Sequence, residues 1–164
     1  MDDQLGSTLH TGLLIMTTAG MAWLSGFPML FPSLGPTAFV LALFQKSDAT
    51  SPRRVIGGHV IGVVAGLLAY HLLAGGITMA GTTEPGSIEG LRLAASGVFA
   101  TTLTAGGMLA TDTRHPPACA TTLIVSLGLL TTVLEGALIV LTVIVLVLAH
   151  QLLLATERWG ARHV

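Results

Sequence analysis

Two proline-rich interruptions limit what this otherwise apolar chain can fold into. Residues 27–36 contain three prolines, and residues 112–120 contain two consecutive ones. Proline cannot continue a helix from upstream, but it suits the first turn of a new helix. The sequence therefore predicts two short helices that begin inside apolar stretches, at Pro36 and at Pro117. Free backbone N–H groups at such a helix start, facing back towards His115 in the second case, could hold an anion.

The composition predicts an integral membrane protein. Of the 164 residues, 52% are hydrophobic and only 9% are charged, whereas a soluble domain carries about 25% charged residues. The net charge of −1 gives no basic patch for nucleic acid. The single cysteine, Cys119, excludes an internal disulfide and a Cys-rich metal site. The acidic N-terminus lacks the basic region of a cleaved signal peptide, so we expect the first apolar segment to remain in the protein.

The apolar pattern predicts one transmembrane domain over residues 1–164, with six helical segments. Four are long enough to span a bilayer: residues 8–26, 55–74, 93–110 and 136–156. Two are short and follow the interruptions: residues 36–44 and 117–130. Irregular backbone at membrane depth is tolerated only where protein or a cavity covers it. The predicted fold class is therefore an all-α membrane protein with four full-length spans and two interrupted segments.

The two halves of the chain follow the same pattern. A shift of 81 residues aligns Pro36 with Pro117 and residues 55–74 with residues 136–155. The order of helix, broken short helix and helix therefore occurs twice, over about residues 8–75 and about residues 91–157. Inverted repeats with interrupted helices are a common way to build a transport site at the bilayer midplane.

The distribution of charge indicates how the repeats are oriented. Positive residues are expected to be cytoplasmic, and the loop with Glu84 and Glu89 outside. The positive residues used here are Lys46, Arg53, Arg54, Arg114, Arg158 and Arg162. If each broken segment completes a crossing, both termini are cytoplasmic and the halves are inverted. If the broken segments are re-entrant, the chain has four crossings. In either case we expect a bacterial inner (plasma) membrane protein.

His115 and His59 are the main candidates for a polar site in the membrane. His115 precedes the second short helix beside Arg114, and an imidazole there could donate to an anion or titrate near neutral pH. The alternative is that His115 only caps the helix. His59 follows Gly57 and Gly58, and it could line a pore or form an interhelical hydrogen bond. Intramembrane ionisable groups are usually functional, so we favour a functional role for His115.

Other polar residues have simpler interpretations. His71 and His150 are expected at the membrane interface, Glu135 at the N-terminus of the last helix, and Arg53 and Arg54 as topology determinants. Hydroxyl groups could line a narrow path: Ser33, Thr37, Thr121 and Thr122. The histidines lack the spacing of a metal site. No nucleophile with a base is visible, so we expect neither an enzyme nor a cofactor.

Three segments of the chain carry short motifs: Gly35-Pro36-Thr37-Ala38, Ser51-Pro52-Arg53-Arg54-Val55-Ile56-Gly57-Gly58-His59 and His115-Pro116-Pro117-Ala118-Cys119-Ala120-Thr121-Thr122. In this order they resemble the HPP family of integral membrane proteins. Plant and cyanobacterial relatives in this family are associated with nitrite transport across chloroplast or plasma membranes. The resemblance therefore implies nitrite, or a similar small monovalent anion, as the permeant species.

Together these observations predict a channel or facilitator for nitrite-like anions, with the short-helix N-termini forming a midplane site. The predicted site residues are Gly35, Pro36, Thr37, His59, Arg114, His115, Pro116, Pro117, Ala118 and Thr121. The alternatives are a proton-coupled carrier, a channel for neutral solutes and a non-transporting membrane scaffold. The short chain and its small-residue helix faces also predict a homo-oligomer.

Overall fold

The computed structural model describes residues 2–27, 29–45, 47–81 and 83–160, with side chains described from Gln4 to Thr156. Over these residues the chain is all-helical and contains no strand, which confirms the all-α part of the predicted fold class. The six helices are α1 (Asp2–Ser25), α2 (Leu34–Leu43), α3 (Pro52–Ala69), α4 (Ile88–Thr111), α5 (Ala118–Ser126) and α6 (Val133–Gly160). A wider helical turn, Tyr70–Ala74, extends α3. Some residues used in the sequence analysis lie outside the described parts. They are Pro28, Lys46, Arg162 and, for its side chain, Arg158.

Three helical segments are long and apolar enough to cross a membrane. They are Pro52–Ala74, Ile88–Thr111 and Val133–Thr156. The fourth predicted span, over residues 8–26, lies in α1, which has 24 residues. His10 and several threonines make α1 less apolar than the other three, so its crossing remains a prediction.

Proline and glycine account for the helix boundaries that differ from the predicted ones. α3 begins at Pro52 rather than residue 55, because proline occupies the first turn. α5 ends at Ser126 rather than residue 130. Gly128 follows it with φ of 80° and lies against the backbone of Ile77. That left-handed conformation suits glycine and ends the helix.

Loop contacts define two ends of the molecule. At the first, which we call the arginine end, Arg53 donates to the Thr111 carbonyl at 3.0 Å and Arg54 pairs with Asp112 at 3.0 Å. These contacts join the start of α3 to the end of α4. At the opposite end, the Met79 N–H donates to the Leu127 carbonyl at 3.0 Å. The two ends are therefore separated by the length of α3.

Contacts of α1 and α6 show which of their termini lie at the arginine end. Ser7 in α1 donates to the carbonyl of Ala42, at the end of α2. Gln151, late in α6, lines a cavity of about 460 Å³ together with Asp48, just before α3. The start of α1 and the last turns of α6 therefore lie at the arginine end, beside the start of α3.

A row of glycines in α3 permits close packing against α5. A Cβ added at Gly62 would lie 2.9 Å from the Ala118 carbonyl oxygen, and one at Gly66 would lie 2.7 Å from Cβ of Val125. Both glycines are buried and lie four residues apart, on one face of the helix. Small residues allow such close helix approach inside a membrane. This packing places the first turn of α5 beside the second and third turns of α3.

Aliphatic side chains fill the core and also cover the outside. Leu14, Leu41 and Val143, from α1, α2 and α6, are fully buried in one cluster with Val55 of α3. Large hydrophobic side chains also face outward, among them Trp23, Val98 and Leu148. An exterior rich in large apolar side chains is compatible with contact with lipid.

Glu135 forms the N-terminal cap that the sequence predicts for the last helix. Its carboxylate accepts from the backbone N–H groups of Thr131 and Thr132 at 2.8 and 2.9 Å, and the Glu135 N–H donates to the Thr132 hydroxyl. This is a capping box, in which both side chains satisfy free N–H groups at the helix start.

We expect Glu135→Ala to lower the free energy of unfolding by about 1 kcal/mol, because two backbone donors lose their acceptor. Thermal unfolding in detergent measures the change. Glu89→Ala is the matched control, since Glu89 also lies in a first helical turn. A loss no larger than that of the control would show that the capping box contributes nothing.

Candidate functional site

Two histidines and three hydroxyl residues form a buried polar cluster where α2, α3 and α5 meet. Its members are Ser33, Thr37, His59, His115 and Thr121, and the exposed fraction of each is 0%. We call this set the hydroxyl–imidazole cluster. It gathers side chains that are far apart in the sequence, and each is polar within an otherwise apolar interior. Burying polar groups is favourable only when they find partners, so the hydrogen bonds of the cluster decide its chemistry.

His59 is held through both ring nitrogens. Nε2 lies 3.1 Å from the Thr37 hydroxyl and Nδ1 lies 2.8 Å from the Thr121 hydroxyl. The Thr121 hydroxyl in turn donates to the Ser33 hydroxyl at 2.9 Å. The ring is therefore fixed between the first turns of the two short helices, and its hydrogen bonds join α2 to α5.

His115 has one nitrogen bonded and one open. Its Nε2 lies 3.3 Å from the Thr37 hydroxyl, and its ring centroid is 5.3 Å from that of His59. Nδ1 has no hydrogen-bond partner within the described residues. The backbone carbonyl of Ala49 is near enough to interact with the ring but does not meet hydrogen-bond geometry with Nδ1. A buried polar atom without a partner is costly, and such an atom often marks the place of a ligand, ion or water.

Local sequence explains how the cluster forms. Thr37 lies one turn after Ser33, and its hydroxyl lies 2.9 Å from the Ser33 carbonyl, so both residues face the same way. α4 ends at Thr111, and the φ of 52° at the next residue, Asp112, turns the chain back into the protein. His115 follows three residues later. A Cβ at Gly58 would lie only 3.0 Å from Cβ of His115, so the α3 glycines also make room for this histidine.

The sequence analysis predicted free backbone N–H groups at the start of α5, but the structure shows hydrogen bonds there. Its first three N–H groups donate to carbonyls three residues earlier: Ala118 to His115 at 2.9 Å, Cys119 to Pro116 at 3.0 Å and Ala120 to Pro117 at 3.1 Å. The prediction is wrong for these three groups, because the proline turn is wound tightly enough to supply acceptors. The polar groups at the cluster are therefore side chains.

The structure brings together some predicted site residues and separates others. Thr37, His59, His115 and Thr121 belong to the cluster, while Pro117 and Ala118 are buried beside α3. Four others lie away from it: Gly35, Pro36 and Pro116 are exposed, and the Arg114 side chain is 60% exposed and bonded to Asp112.

The cluster lies nearer to the arginine end of the molecule than to the opposite end. His59 is seven residues into α3, about 10 Å along the helix axis from Pro52 at 1.5 Å per residue. With its extension to Ala74, this helix is about 33 Å long. A path from the arginine end to the cluster is therefore about half as long as a path from the opposite end.

Three charged residues form ion pairs at the arginine end of the molecule. Asp112 bonds to Arg54 at 3.0 Å and to Arg114 at 2.7 Å. Hydrogen bonds from Arg54 and then Arg114 lower the pKa of the Asp112 carboxyl below its usual value of 3.8. Arg53 and Arg54 thus connect two elements, which is compatible with their predicted role as topology determinants.

Because the pKa of Asp112 is lower in the folded protein than in the unfolded chain, its ionised form favours folding. This contribution is complete above the usual carboxyl pKa and disappears as the pH falls through the lowered one. We therefore expect Asp112→Asn to lower the melting temperature at pH 7, and the difference from wild type to vanish at strongly acid pH. Asparagine tolerates the left-handed backbone, so the variant removes mainly charge. A difference independent of pH would contradict this account.

A second pair of buried histidines was missed by the sequence analysis. His10 Nε2 and His150 Nδ1 lie 3.0 Å apart, and each residue is only 3% exposed. The prediction that His150 lies at the membrane interface stays a prediction, and the structure adds that α1 packs beside α6 and covers the ring. The one sequence signal was a histidine in the part of α1 after Asp3, which carries no charged residue. His71 is exposed and bonds to the Thr131 carbonyl at 3.1 Å.

Apolar helices around a buried polar cluster define a helical membrane protein. The chain belongs to the HPP transmembrane family, since residues 2–159 match the family model described as HPP, transmembrane region. Comparisons with curated proteins and with solved structures give no match. No group of three or more metal-ligating side chains occurs in the described part of the chain.

Proposed function

We propose that this protein is a transport facilitator for nitrite or a similar small monovalent anion, and that the hydroxyl–imidazole cluster binds the ion on its path. The observation that supports the proposal most strongly is the open Nδ1 of His115, on a fully buried ring. The Thr37 hydroxyl and the His59 ring contact this ring, and the hydroxyls of Ser33 and Thr121 complete the cluster. Such groups can replace part of the hydration shell of a small ion.

The charges at the arginine end favour an anion. Arg53, Arg54 and Arg114 outnumber the neighbouring carboxylates of Asp48 and Asp112. A positive surplus raises the local concentration of anions and steers them towards the site. The cluster itself has no fixed charge, so it can release the ion again. Membership of the HPP family is compatible with a membrane transport role, and the resemblance described above implies nitrite.

We further propose that the two halves run in opposite directions and that the arginine end is cytoplasmic, in a bacterial plasma membrane. Loop contacts support this: the starts of α1 and α3 and the ends of α4 and α6 all lie at the arginine end. Each broken segment would then complete a crossing, and both termini would be cytoplasmic. The outer face of α4, with Val98 and Leu109 exposed, would contact lipid or a second copy in a homo-oligomer.

Nitrite uptake into proteoliposomes tests the function. The vesicles contain a nitrite reporter and are assayed at pH 8, where uncatalysed entry of nitrous acid is small. We expect uptake well above that of protein-free vesicles, together with little uptake of urea. Equal entry of nitrite and urea would indicate a neutral-solute channel. No entry of either, with folded protein, would indicate a scaffold.

A further inference from the structure

The hydrogen bonds of the hydroxyl–imidazole cluster determine where two neutral imidazoles carry their protons. A hydroxyl has one proton to donate. Thr121 donates its proton to the Ser33 hydroxyl, so it presents a lone pair to Nδ1 of His59. The Thr37 hydroxyl lies within reach of three acceptors, which are the Ser33 carbonyl and Nε2 of each histidine.

Three ring nitrogens contact these two hydroxyls. They are Nδ1 and Nε2 of His59 and Nε2 of His115, at 2.8, 3.1 and 3.3 Å. Two neutral imidazoles carry two N–H groups between them. All three contacts are satisfied when Nδ1 of His59 donates to Thr121, Thr37 donates to Nε2 of His59, and Nε2 of His115 donates to Thr37. This arrangement uses both imidazole protons, while the Ser33 carbonyl still accepts the Thr37 backbone N–H at 3.3 Å.

The fourth ring nitrogen, Nδ1 of His115, is the open position. In a neutral pair that satisfies the Thr37 contact, this nitrogen presents a lone pair, which repels an anion. An anion binds there only if Nδ1 carries a proton and donates it. One additional proton on the pair allows that arrangement while Nε2 of His115 keeps its contact with Thr37.

We propose that the His59–His115 pair takes up one proton with each anion that it binds, so that the protein moves an anion and a proton together. This inference rests on the proposed function. A proton from the solvent forms an N–H bond with the lone pair of a ring nitrogen, and no bond of the anion breaks. The imidazolium then donates to the anion. On release, the proton and the anion both leave and the pair is neutral again.

Burial favours joint binding over separate binding. A lone imidazolium or a lone anion in this apolar interior is costly, whereas the two together carry no net charge. No carboxylate hydrogen bonds to either ring among the described contacts. Other titratable groups on the surrounding elements are Asp48, Arg53, Arg54, Asp112, Arg114 and Cys119. Asp112 is already paired with Arg54 and Arg114, so the anion is the counter-ion available to the pair.

Proton uptake on nitrite binding tests the proposal directly. Purified protein in weakly buffered detergent is mixed with pH-matched nitrite. A pH-indicator dye measures the protons taken up, and equilibrium dialysis measures the nitrite bound. We expect about one proton per bound nitrite. Above neutral pH, the apparent Kd should rise about tenfold per pH unit.

Variants locate the proton. The double variant His59→Gln/His115→Gln is expected to lose proton uptake, whereas His71→Gln, at an exposed position, keeps it. His150→Gln should also keep proton uptake. If His150→Gln lost it, the proton would lie on the other histidine pair and the assignment would be overturned.

Nitrite binding by wild type without proton uptake overturns the inference and leaves the anion site standing. The absence of nitrite binding overturns both proposals. The wild-type measurement decides these two cases even if a variant fails to fold.

Discussion

Replacing His115 with leucine is expected to reduce nitrite entry into proteoliposomes by at least about tenfold. Leucine resembles histidine in size but removes both ring nitrogens, including the open Nδ1. A hydrogen bond to a charged ligand contributes about 1.5–3 kcal/mol. Its loss at the binding point corresponds to about a 10- to 150-fold weaker interaction.

The matched control for this experiment is His71→Leu. His71 is exposed at the opposite end of the molecule, where it bonds to the Thr131 carbonyl. We expect this variant to transport nitrite at nearly the wild-type rate. If His115→Leu were folded and fully active, the cluster would not lie on the anion path. If both variants lost activity equally, the effect would reflect stability rather than binding.

A large loss of stability is expected from Gly62→Ala. The added Cβ would lie 2.9 Å from both the Ala118 carbonyl oxygen and the Thr122 hydroxyl. The carbonyl belongs to the first turn of α5 and cannot rotate away, so the two helices must separate. Overpacking of a close interface typically costs about 1–3 kcal/mol. The melting temperature should fall, and nitrite uptake should fall with it because α5 carries Thr121 of the cluster.

Gly106→Ala is the control for this substitution. Gly106 lies in α4, and a Cβ there would meet nothing within 4 Å. Alanine also favours a helix over glycine by about 1 kcal/mol. We therefore expect Gly106→Ala to leave the melting temperature unchanged or to raise it. Equal destabilisation by both variants would show that the α3–α5 contact is not unusually close.

The sequence was sufficient to predict where the helices lie, but not which face of each helix is buried. Hydropathy and proline placement located all six helices, and the start of α5 was within one residue of the predicted one. Which residues of α2 face inward was not predictable, because a membrane helix is apolar on all sides and has no polar face to orient it. Gly35 and Pro36 were therefore assigned to the site although they face outward, beside Thr37, which faces inward.

Long-range pairing explains the other differences. His10 and His150 are 140 residues apart, and nothing local in either helix predicts that α1 packs against α6. The cluster was predicted in part because His59, His115 and the threonines lie next to prolines and glycines that mark helix starts. Its hydrogen bonds, which leave Nδ1 of His115 open, depend on side-chain geometry that spacing alone does not define.

The central claim is that nitrite occupies the hydroxyl–imidazole cluster. Solid-state NMR of the reconstituted protein, with ¹³C-labelled histidine and ¹⁵N-labelled nitrite, measures the distance between them through their dipolar coupling. We predict a short-range coupling to the His115 ring that disappears in His115→Gln and persists in His71→Gln. Transport of nitrite by the same sample, without any coupling to His115, would contradict the account and place the ion path elsewhere in the protein.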